Sequence, residues 1–169
     1  MSPTILGLSA FYHDSAAALL CSGMTRFALQ EERVTRIKFD SAFPSNAINL
    51  ALESANLSIG DLDQIAFFED PKSKLDRILT TSSHQNVIAS LAETWDQKIH
   101  LVDLIRQRTG FLGQIYCFDH HESHAAYAFF SCDVERALVV VAERCVGRTK
   151  SSRWIRQAVG FRRRISGDS

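Results

Sequence analysis

The stretch "TILGLSAFYHDSAAALLCSGMTRFALQEE", residues 4–32, decides the fold class. It contains three short apolar runs, at 4–10, 15–21 and 25–32, separated by polar and turn-forming residues. The first two runs are typical of buried strands, and the third alternates enough to be a strand as well. The residues "SGM" at 22–24 are a turn signal. The stretch therefore predicts an antiparallel meander of three strands.

The rest of the chain predicts alternating helices and strands. Helices are expected at 43–58, 99–110 and 121–130, and strands at 63–70, 114–119 and 137–142. Pro44 suits the first turn of the first helix, where Ser45 or Asn46 can cap it. Gly110 is placed to end the second helix in the left-handed conformation. Residues 73–95 have a weaker helical pattern. A meander followed by this alternation predicts an α/β fold, a ribonuclease-H-like lobe with a mixed sheet and flanking helices.

The net charge of the chain is zero, but its charges are unevenly distributed. Residues 1–143 carry 11 basic and 18 acidic residues, whereas residues 144–169 carry 8 basic and 1 acidic residue. Regular hydrophobic patterning also stops near residue 143. A basic tail that seeks nucleic acid or a membrane is one explanation. The other is that this segment does not belong to the fold before it.

Composition and cysteine spacing indicate an ordinary cytoplasmic protein. With 46% hydrophobic and 22% charged residues, the chain is unlike a disordered one. The start lacks the basic region of a secretory signal, and no apolar run is long enough to span a bilayer. Four cysteines, at positions 21, 117, 132 and 145, show no CxxC pair. They are therefore expected to be reduced, mostly buried thiols that build no zinc site.

The segment "DHHESHAAYAFF", residues 119–130, places three histidines at helical spacing. His120 and His124 are four residues apart and His121 and His124 three apart, so either pair would share one face of a helix. Neutral imidazole suits iron, zinc and nickel. Two histidines are too few for a closed site, so a third ligand has to come from elsewhere. The neighbouring carboxylates could orient a ring. The alternative is a helix start whose polar residues face water.

The segment "FYHDSAAAL", residues 11–19, links the first two predicted strands and could bind an anion. Ser15 and backbone amides could donate hydrogen bonds to it, and His13 could transfer a proton or hold an oxyanion. The alternative is an ordinary turn in which Asp14 and Ser15 bond to the local backbone.

The segment "QEERVTRIKFDSAFP", residues 30–44, groups Arg33, Arg36 and Lys38 beside two glutamates. Arginine suits bidentate recognition of carboxylate, phosphate or carbamate groups. The alternative is a solvated charge run that pairs with itself. The sequence contains no Walker A or GxGxxG motif for binding phosphates.

Three blocks, "ILGLSAFYHDSAAALL", "EERVTRIKFDSAFPSNAI" and "HHESHAAYAFF", occur in an order and spacing that resemble one family. They are similar to the N-terminal region of the NodU/CmcH carbamoyltransferases, over about residues 4–142. The resemblance implies the first lobe of a Kae1-like domain of the actin/Hsp70-like ATPase class. In that family a second lobe and a YrdC-like domain follow.

The resemblance also implies an activity. The YrdC-like domain makes carbamoyl adenylate from carbamoyl phosphate and ATP. The Kae1-like domain then passes the carbamoyl group to a hydroxyl of an acceptor such as a sugar, an antibiotic or a nodulation factor. An iron-type divalent metal (Fe) is held there by two histidines four residues apart and by a distant aspartate.

Carried onto this chain, the resemblance implies that the metal ligands are His120 and His124. His121 would lie near the transferred group, and His13 would contact the carbamoyl group or activate the acceptor, so these two are the catalytic candidates. The remaining matched residues are candidates for binding substrate or phosphate: Asp14, Ser15, Arg33, Arg36 and Lys38.

The chain departs from the family pattern after residue 142. The family has a D-G-V-G-E motif there, whereas this chain reads "ERCVGRTK". The hypothesis is a shift of reading frame near codon 142, with residues 1–142 forming the first lobe and residues 143–169 translated out of frame or disordered. A genuine short protein with a basic tail is the alternative. We expect the truncated chain to be inactive alone and to expose apolar surface that favours aggregation.

Two other functions stay open at this point. One is a non-catalytic module that binds a metal or a nucleotide. The other is a nucleic-acid binder that uses the basic tail, for which strongly salt-dependent binding is expected. Trp154 and Phe161 lie among the arginines of that tail, although nucleic acid is the less favoured partner. No membrane partner is expected.

Overall fold

The structure, a computed structural model, describes residues 2–71, 100–146 and 152–162. The chain divides into two compact units, residues 1–118 and residues 119–169. The helical pattern predicted at 73–95 lies outside the described residues. None of the helices in the described ranges combines the length and the apolar character of a bilayer-spanning helix.

The first unit is built around a five-stranded sheet. Its strands are β1 (Ile5–Ser9), β2 (Ala16–Cys21), β3 (Met24–Gln30), β4 (Gln64–Phe67) and β5 (Gln114–Cys117). Its helices are α1 (Glu32–Thr35), α2 (Ser45–Ser54) and α3 (Leu101–Thr109), with a short 3-10 helix at Ile59–Asp61. The strand order is β3-β2-β1-β4-β5, with β1, β2 and β3 antiparallel and β1, β4 and β5 parallel. An antiparallel meander followed by parallel strands, with flanking helices, is the architecture that the sequence predicts, so the mixed α/β fold class is confirmed.

The meander depends on a tight turn between β2 and β3. Ser22 and Gly23 are its two central residues, and both have positive φ angles, 53° and 77°. Positive φ at both positions is what a type I′ turn requires, and the twist of that turn matches the twist of paired strands. Cys21 and Met24 are therefore paired directly across the hairpin.

Alternation along the strands builds the core of the first unit. On β1 the side chains of Leu6 and Leu8 are buried, while their neighbours in sequence are less so. The same alternation buries one face of β2, β4 and β5, and the apolar sides of α2 and α3 join the same cluster. Burial of each large aliphatic side chain contributes roughly 1.5–3 kcal/mol.

The N-terminus of α2 is capped from a distance. Ser45 and Asn46 were the predicted caps, but Pro44 occupies the cap position, and no side-chain cap bond is made there. Instead Glu31, which is only 2% exposed, accepts hydrogen bonds from the Asn46 amide (3.1 Å), the Asn46 side chain (2.7 Å) and the Ala47 amide (2.8 Å). A carboxylate is favourable at this end of a helix because the unpaired N–H groups carry partial positive charge. The local prediction of the cap is therefore wrong.

The helix prediction at 99–110 is confirmed at its end. Gly110 has a φ of 74°, and its amide donates to the carbonyl of Arg106 at 2.8 Å. Glycine adopts this left-handed conformation without the steric penalty that a Cβ atom would bring.

The second unit contains helix α4 (His120–Phe130) and a ribbon of two antiparallel strands, β6 (Arg136–Val146) and β7 (Ser152–Arg162). A buried strand was predicted at 137–142. The strand is present, but Leu138 and Val140 are 72% and 59% exposed, so the prediction of burial is wrong. A two-stranded ribbon can leave one of its faces open, which apolar sequence alone does not reveal.

The ribbon also extends beyond the point where the sequence predicts regular structure to stop. β6 continues to Val146, and β7 follows within the basic segment. Ile155, Val159 and Phe161 stand at alternate positions of that segment, which is a strand period that the dense arginines obscure. The domain boundary at residue 142 and the out-of-frame origin of residues 143–169 stay predictions.

Candidate functional site

The loop between β1 and β2 carries the first candidate residues in a strained conformation. Phe11 and Asp14 have φ angles of 65° and 63°, in the left-handed region that costs most residues free energy. Both ends of the loop are fixed by backbone bonds. The Phe11 amide donates to the Ser41 carbonyl (3.0 Å), and the Ser15 amide donates to the Asp40 carbonyl (2.9 Å). The strain therefore persists because the following loop holds this one in place.

His13 stands at the surface of this loop, where its ring is 58% exposed. Its Nδ1 atom lies 2.7 Å from the Asp14 carboxylate, and the Tyr12 ring packs against it with 4.2 Å between ring centroids. The candidate for proton transfer is thus accessible, and it touches a carboxylate.

The basic candidates lie on a second strained loop. Here α1 begins at Glu32, although the third strand was predicted to continue through that residue. Arg36 and Phe39 have φ angles of 62° and 57°. The Glu32 carboxylate accepts the Phe39 amide at 3.0 Å and lies 3.7 Å from the guanidinium of Arg33, and the Lys38 ammonium lies 4.8 Å from the Phe39 ring centroid. The charge run is partly self-paired, and its role in binding phosphate stays a prediction.

Asp40 joins the two loops, and sequence reasoning missed it. Its side chain is buried and accepts hydrogen bonds from the Ala42 amide (2.9 Å) and the Thr35 hydroxyl (2.7 Å), while its carbonyl accepts the Ser15 amide. These bonds, first that of Ala42 and then that of Thr35, lower the pKa of Asp40 below its usual value. The bond to Ala42, two residues on, is a local pattern typical of aspartate in turns and could have indicated the role.

Ser15 is fully buried, whereas a residue that binds an anion from solution would be accessible. Its amide bonds to Asp40, and its carbonyl accepts the Glu31 amide at 2.8 Å. Within the described part of the chain its hydroxyl has no hydrogen-bond partner. The predicted role of Ser15 in binding an anion stays a prediction.

The pKa of Asp40 leads to a test by pH. Because folding lowers this pKa, the ionised carboxylate stabilises the fold above the usual aspartate value of about 4. That stabilisation is lost as the pH falls through the lower pKa of the folded state. We expect Asp40→Asn to have a lower midpoint of thermal unfolding than the wild type at pH 7. Between pH 5 and pH 3 this midpoint should fall less in the variant than in the wild type. Circular dichroism measures both midpoints.

Glu53→Gln, which changes an exposed carboxylate on α2, is the matched control and should behave as the wild type does. An Asp40→Asn chain with the wild-type dependence on pH would contradict the role of this carboxylate.

Helix α4 presents the histidines and is capped locally. Asp119 is its N-cap residue, and its Oδ1 atom accepts the amides of His121 (2.9 Å) and Glu122 (3.4 Å). The His121 Nδ1 atom lies 3.9 Å from the same oxygen, beyond hydrogen-bond distance. Asp119, one of the two neighbouring carboxylates expected to orient an imidazole ring, thus caps the helix.

His120 and His124 face each other across one turn of α4. Their Nε2 atoms are 3.2 Å apart, and their rings meet edge to face at an interplanar angle of 81°. When two imidazole nitrogens bind one ion such as zinc, with a nitrogen–metal–nitrogen angle between a right angle and the tetrahedral value, the nitrogens are about 2.8–3.4 Å apart. The pair therefore fits as two neighbouring ligands of one ion. The same distance also allows one ring to donate a hydrogen bond to the other.

The third histidine of the segment behaves differently. His121 is 3% exposed, whereas the contact between His120 and His124 is exposed. Among the residues that the structure describes, no group of three or more His, Cys, Asp or Glu side chains is placed to hold a metal ion. The catalytic role of His121 and the source of a third ligand stay predictions.

The cysteines of the described ranges differ in accessibility, which can be measured. Cys117 is half-buried, and that burial, followed by the negative charge of Asp70, raises the pKa of its thiol. Cys132 is exposed. Because the thiolate is the reactive form, we expect iodoacetamide at pH 8 to alkylate Cys132 at least about tenfold faster than Cys117. Peptide mass spectrometry over a time course measures both rates.

Urea-unfolded chain is the control for this experiment, because the two cysteines should react at similar rates once neither is buried. Equal rates in the native chain would contradict the burial of Cys117.

Comparison with known proteins places this geometry in a family. The family model described as "Carbamoyltransferase N-terminus" matches residues 4–158. The "Uncharacterized protein sll1178" of Synechocystis sp. (strain ATCC 27184 / PCC 6803 / Kazusa) is 37% identical over an alignment of 150 residues that covers 80% of this chain and 24% of that protein. "Nodulation protein NolNO" of Sinorhizobium fredii (strain NBRC 101917 / NGR234) is 31% identical over an alignment of 141 residues that covers 80% of this chain and 20% of that protein.

The chain thus spans about a quarter or less of the length of these two relatives. Among solved structures, YeaZ from Pseudomonas aeruginosa aligns with 99% of this chain and 72% of its own length, at 14% identity and a TM-score of 0.46. The family model covers most of the chain, and it includes the β1–β2 loop, the Arg36–Phe39 loop and the histidine pair of α4. The chain therefore belongs to the carbamoyltransferase family, whose N-terminal region it matches.

Proposed function

We propose that this chain is a fragment of an O-carbamoyltransferase. It belongs to the domain that transfers the carbamoyl group to a hydroxyl. The donor is carbamoyl adenylate, made from carbamoyl phosphate and ATP, and the acceptor is a sugar, an antibiotic or a nodulation factor. The observation that carries the proposal is the facing pair of His120 and His124 within a chain of the carbamoyltransferase family. We also propose that transfer needs parts of the enzyme that these residues do not supply.

The reaction determines what the residues have to do. The acceptor oxygen bonds to the carbamoyl carbon, and the bond from that carbon to the phosphate oxygen of AMP breaks, so AMP leaves with the electron pair. The hydroxyl proton needs a base, and the oxyanion that forms on the way needs positive charge or hydrogen-bond donors. The exposed ring of His13 is the candidate base.

Cationic side chains on and before the adjoining loop are candidates for holding the phosphate or the carbamoyl oxygen. Arg36 and Lys38 lie on the loop that backbone bonds join to the His13 loop, and Arg33 lies just before them on α1. Arginine matches the planar geometry of these groups, and lysine supplies a point charge. Asp14 and Ser15 were predicted to bind substrate with them.

His120 and His124 would hold an iron-type divalent metal (Fe), since their nitrogens are spaced as two ligands of one ion. A bound metal would polarise the carbamoyl oxygen and stabilise the charge that develops on it. His121, the next residue on the helix, is the second catalytic candidate.

A chimaera tests the proposal. Residues 4–142 of this chain would replace the matching segment of a full-length carbamoyltransferase of the family, and a second chimaera would carry residues 4–158. With ATP, carbamoyl phosphate labelled with carbon-14 and the acceptor of that enzyme, we expect the first chimaera to label the acceptor. The second should also do so only if residues 143–158 belong to the fold. The chain alone is expected to label nothing.

Three results would redirect the assignment. A folded chimaera that makes the adenylate but never labels the acceptor contradicts the proposed transfer. Tight, stoichiometric iron binding without transfer would favour a non-catalytic metal-binding module. Binding of nucleic acid that disappears on deletion of residues 144–169 would favour the basic-tail hypothesis.

A further inference from the structure

The contact between His13 and Asp14 has the geometry of a histidine base that a carboxylate orients. The His13 Nδ1 atom and the Asp14 carboxylate oxygen are 2.7 Å apart, within the range of a strong, charge-assisted hydrogen bond. A carboxylate oxygen can only accept, so Nδ1 has to be the atom that carries hydrogen. In the neutral ring the lone pair then lies on Nε2.

The contact is made by a residue with left-handed backbone. In extended backbone, the side chains of neighbouring residues point in opposite directions. At Asp14 the φ of 63° interrupts that alternation at a cost that glycine would not incur. Backbone bonds from Phe11 to Ser41 and from Ser15 to Asp40 keep both ends of the loop in this conformation.

We propose that Asp14 is a positioning residue that holds His13 in the Nδ1–H tautomer, with Nε2 presented as the base for the acceptor hydroxyl. The proposal rests on the proposed function and replaces the expectation that Asp14 binds phosphate. A carboxylate repels a phosphate oxygen, whereas it matches an imidazole N–H.

Asp14 has two tasks during transfer. It first orients the Nε2 lone pair of His13. That lone pair takes the hydroxyl proton while the acceptor oxygen bonds to the carbamoyl carbon. AMP leaves with the electron pair of the bond that breaks. Asp14 then stabilises the imidazolium that results, as a carboxylate does for the histidine of a serine hydrolase. The Tyr12 ring also contacts the imidazole, at an interplanar angle of 43°.

Nitrogen-15 NMR of the histidine rings tests the proposal on the complete 169-residue chain. At a pH where the rings are neutral, a pyrrole-type Nδ1 and a pyridine-type Nε2 identify the tautomer. The signals of His13 are assigned by their loss in His13→Asn. We expect the Nδ1–H tautomer to predominate in the wild type and to become the minor form in Asp14→Gly. An Nε2–H majority in the wild type, or an unchanged ratio in Asp14→Gly, overturns the proposal.

Two further variants separate positioning from folding. Asp14→Gly removes the carboxylate but relieves the left-handed strain, so its midpoint of thermal unfolding should stay at or above that of the wild type. Ser22→Gly makes the same kind of change at another left-handed position, φ 53°, and should leave the His13 ratio unchanged. A tautomer shift in Ser22→Gly as large as that in Asp14→Gly would overturn the proposal.

The NMR measurement requires no substrate. The role of Asp14 can therefore be tested separately from the proposed carbamoyl transfer. If the 4–142 chimaera transfers the carbamoyl group, Asp14→Gly in that chimaera should lower the rate of transfer at least about a hundredfold, the usual contribution of a general base. An undiminished rate overturns the positioning role. A wild-type chimaera that transfers nothing contradicts the proposed function, while the tautomer measurement still decides whether Asp14 orients His13.

Discussion

Alanine at His120 or at His124 is expected to lower the affinity of the chain for Fe²⁺ by about a hundredfold or more, since even loss of an outer hydrogen-bond partner of a metal ligand costs 10–100-fold. Each substitution removes one of the two nitrogens that stand 3.2 Å apart on α4. A single imidazole cannot chelate the ion, so the remaining ring loses the advantage of a preformed pair. In the 4–142 chimaera, the same variants should show no measurable transfer.

Anaerobic calorimetry with Fe²⁺, and Co²⁺ absorption as a spectroscopic substitute, would measure the affinity. His100→Ala is the matched control because His100 is a 67% exposed histidine on the first unit. It should bind the metal as the wild type does. Equal affinity in His120→Ala, His124→Ala and His100→Ala would show that the pair is no metal site.

Glu31→Ala is expected to lower the free energy of unfolding by about 3 kcal/mol, at the upper end of values for hydrogen bonds to a charged group. The buried carboxylate receives the two amides at the start of α2 and the side-chain amide of Asn46. Alanine leaves these donors without the acceptor and opens a space where the carboxylate was. The end of β3 would also lose its connection to the helix.

Urea unfolding followed by circular dichroism measures the loss. Glu31→Gln is the graded comparison, because its oxygen can replace one carboxylate oxygen while its NH₂ group opposes the remaining donors. Its loss should fall between those of the wild type and Glu31→Ala. Glu53→Ala, at an exposed position of α2, should change the stability little. An unfolding midpoint for Glu31→Ala equal to that of the wild type would show that water replaces the carboxylate at the helix start.

Much of the fold could be predicted from local patterns. The three apolar runs at 4–32 correspond to β1, β2 and β3, and the Ser22–Gly23 turn lies where the turn signal was. Gly110 ends α3 in the predicted conformation. The histidine spacing correctly indicated that His120 and His124 share a helix face. Each of these features depends on residues close in sequence, so short windows contain the information.

The errors arose where one residue meets another that is distant along the chain. Glu31 was regarded as part of a solvated charge run, yet it caps a helix that begins fourteen positions later, at Ser45. Asp40 was not among the predicted site residues, although its backbone carbonyl accepts a hydrogen bond from the Ser15 amide. The apolar residues of β6 were expected to be buried, but Leu138 and Val140 face outward.

The sequence by itself determined the strands β1 to β5, the helices α2 to α4, the sheet class and the family resemblance, because periodicity and turn chemistry act over a few residues. Only the tertiary structure decided which polar groups are buried and what they bond to. Glu31 and Asp40 acquired their roles in that way. Burying a polar group without a partner costs free energy, and packing of the sheet, its helices and its loops brings a partner from elsewhere in the chain into reach.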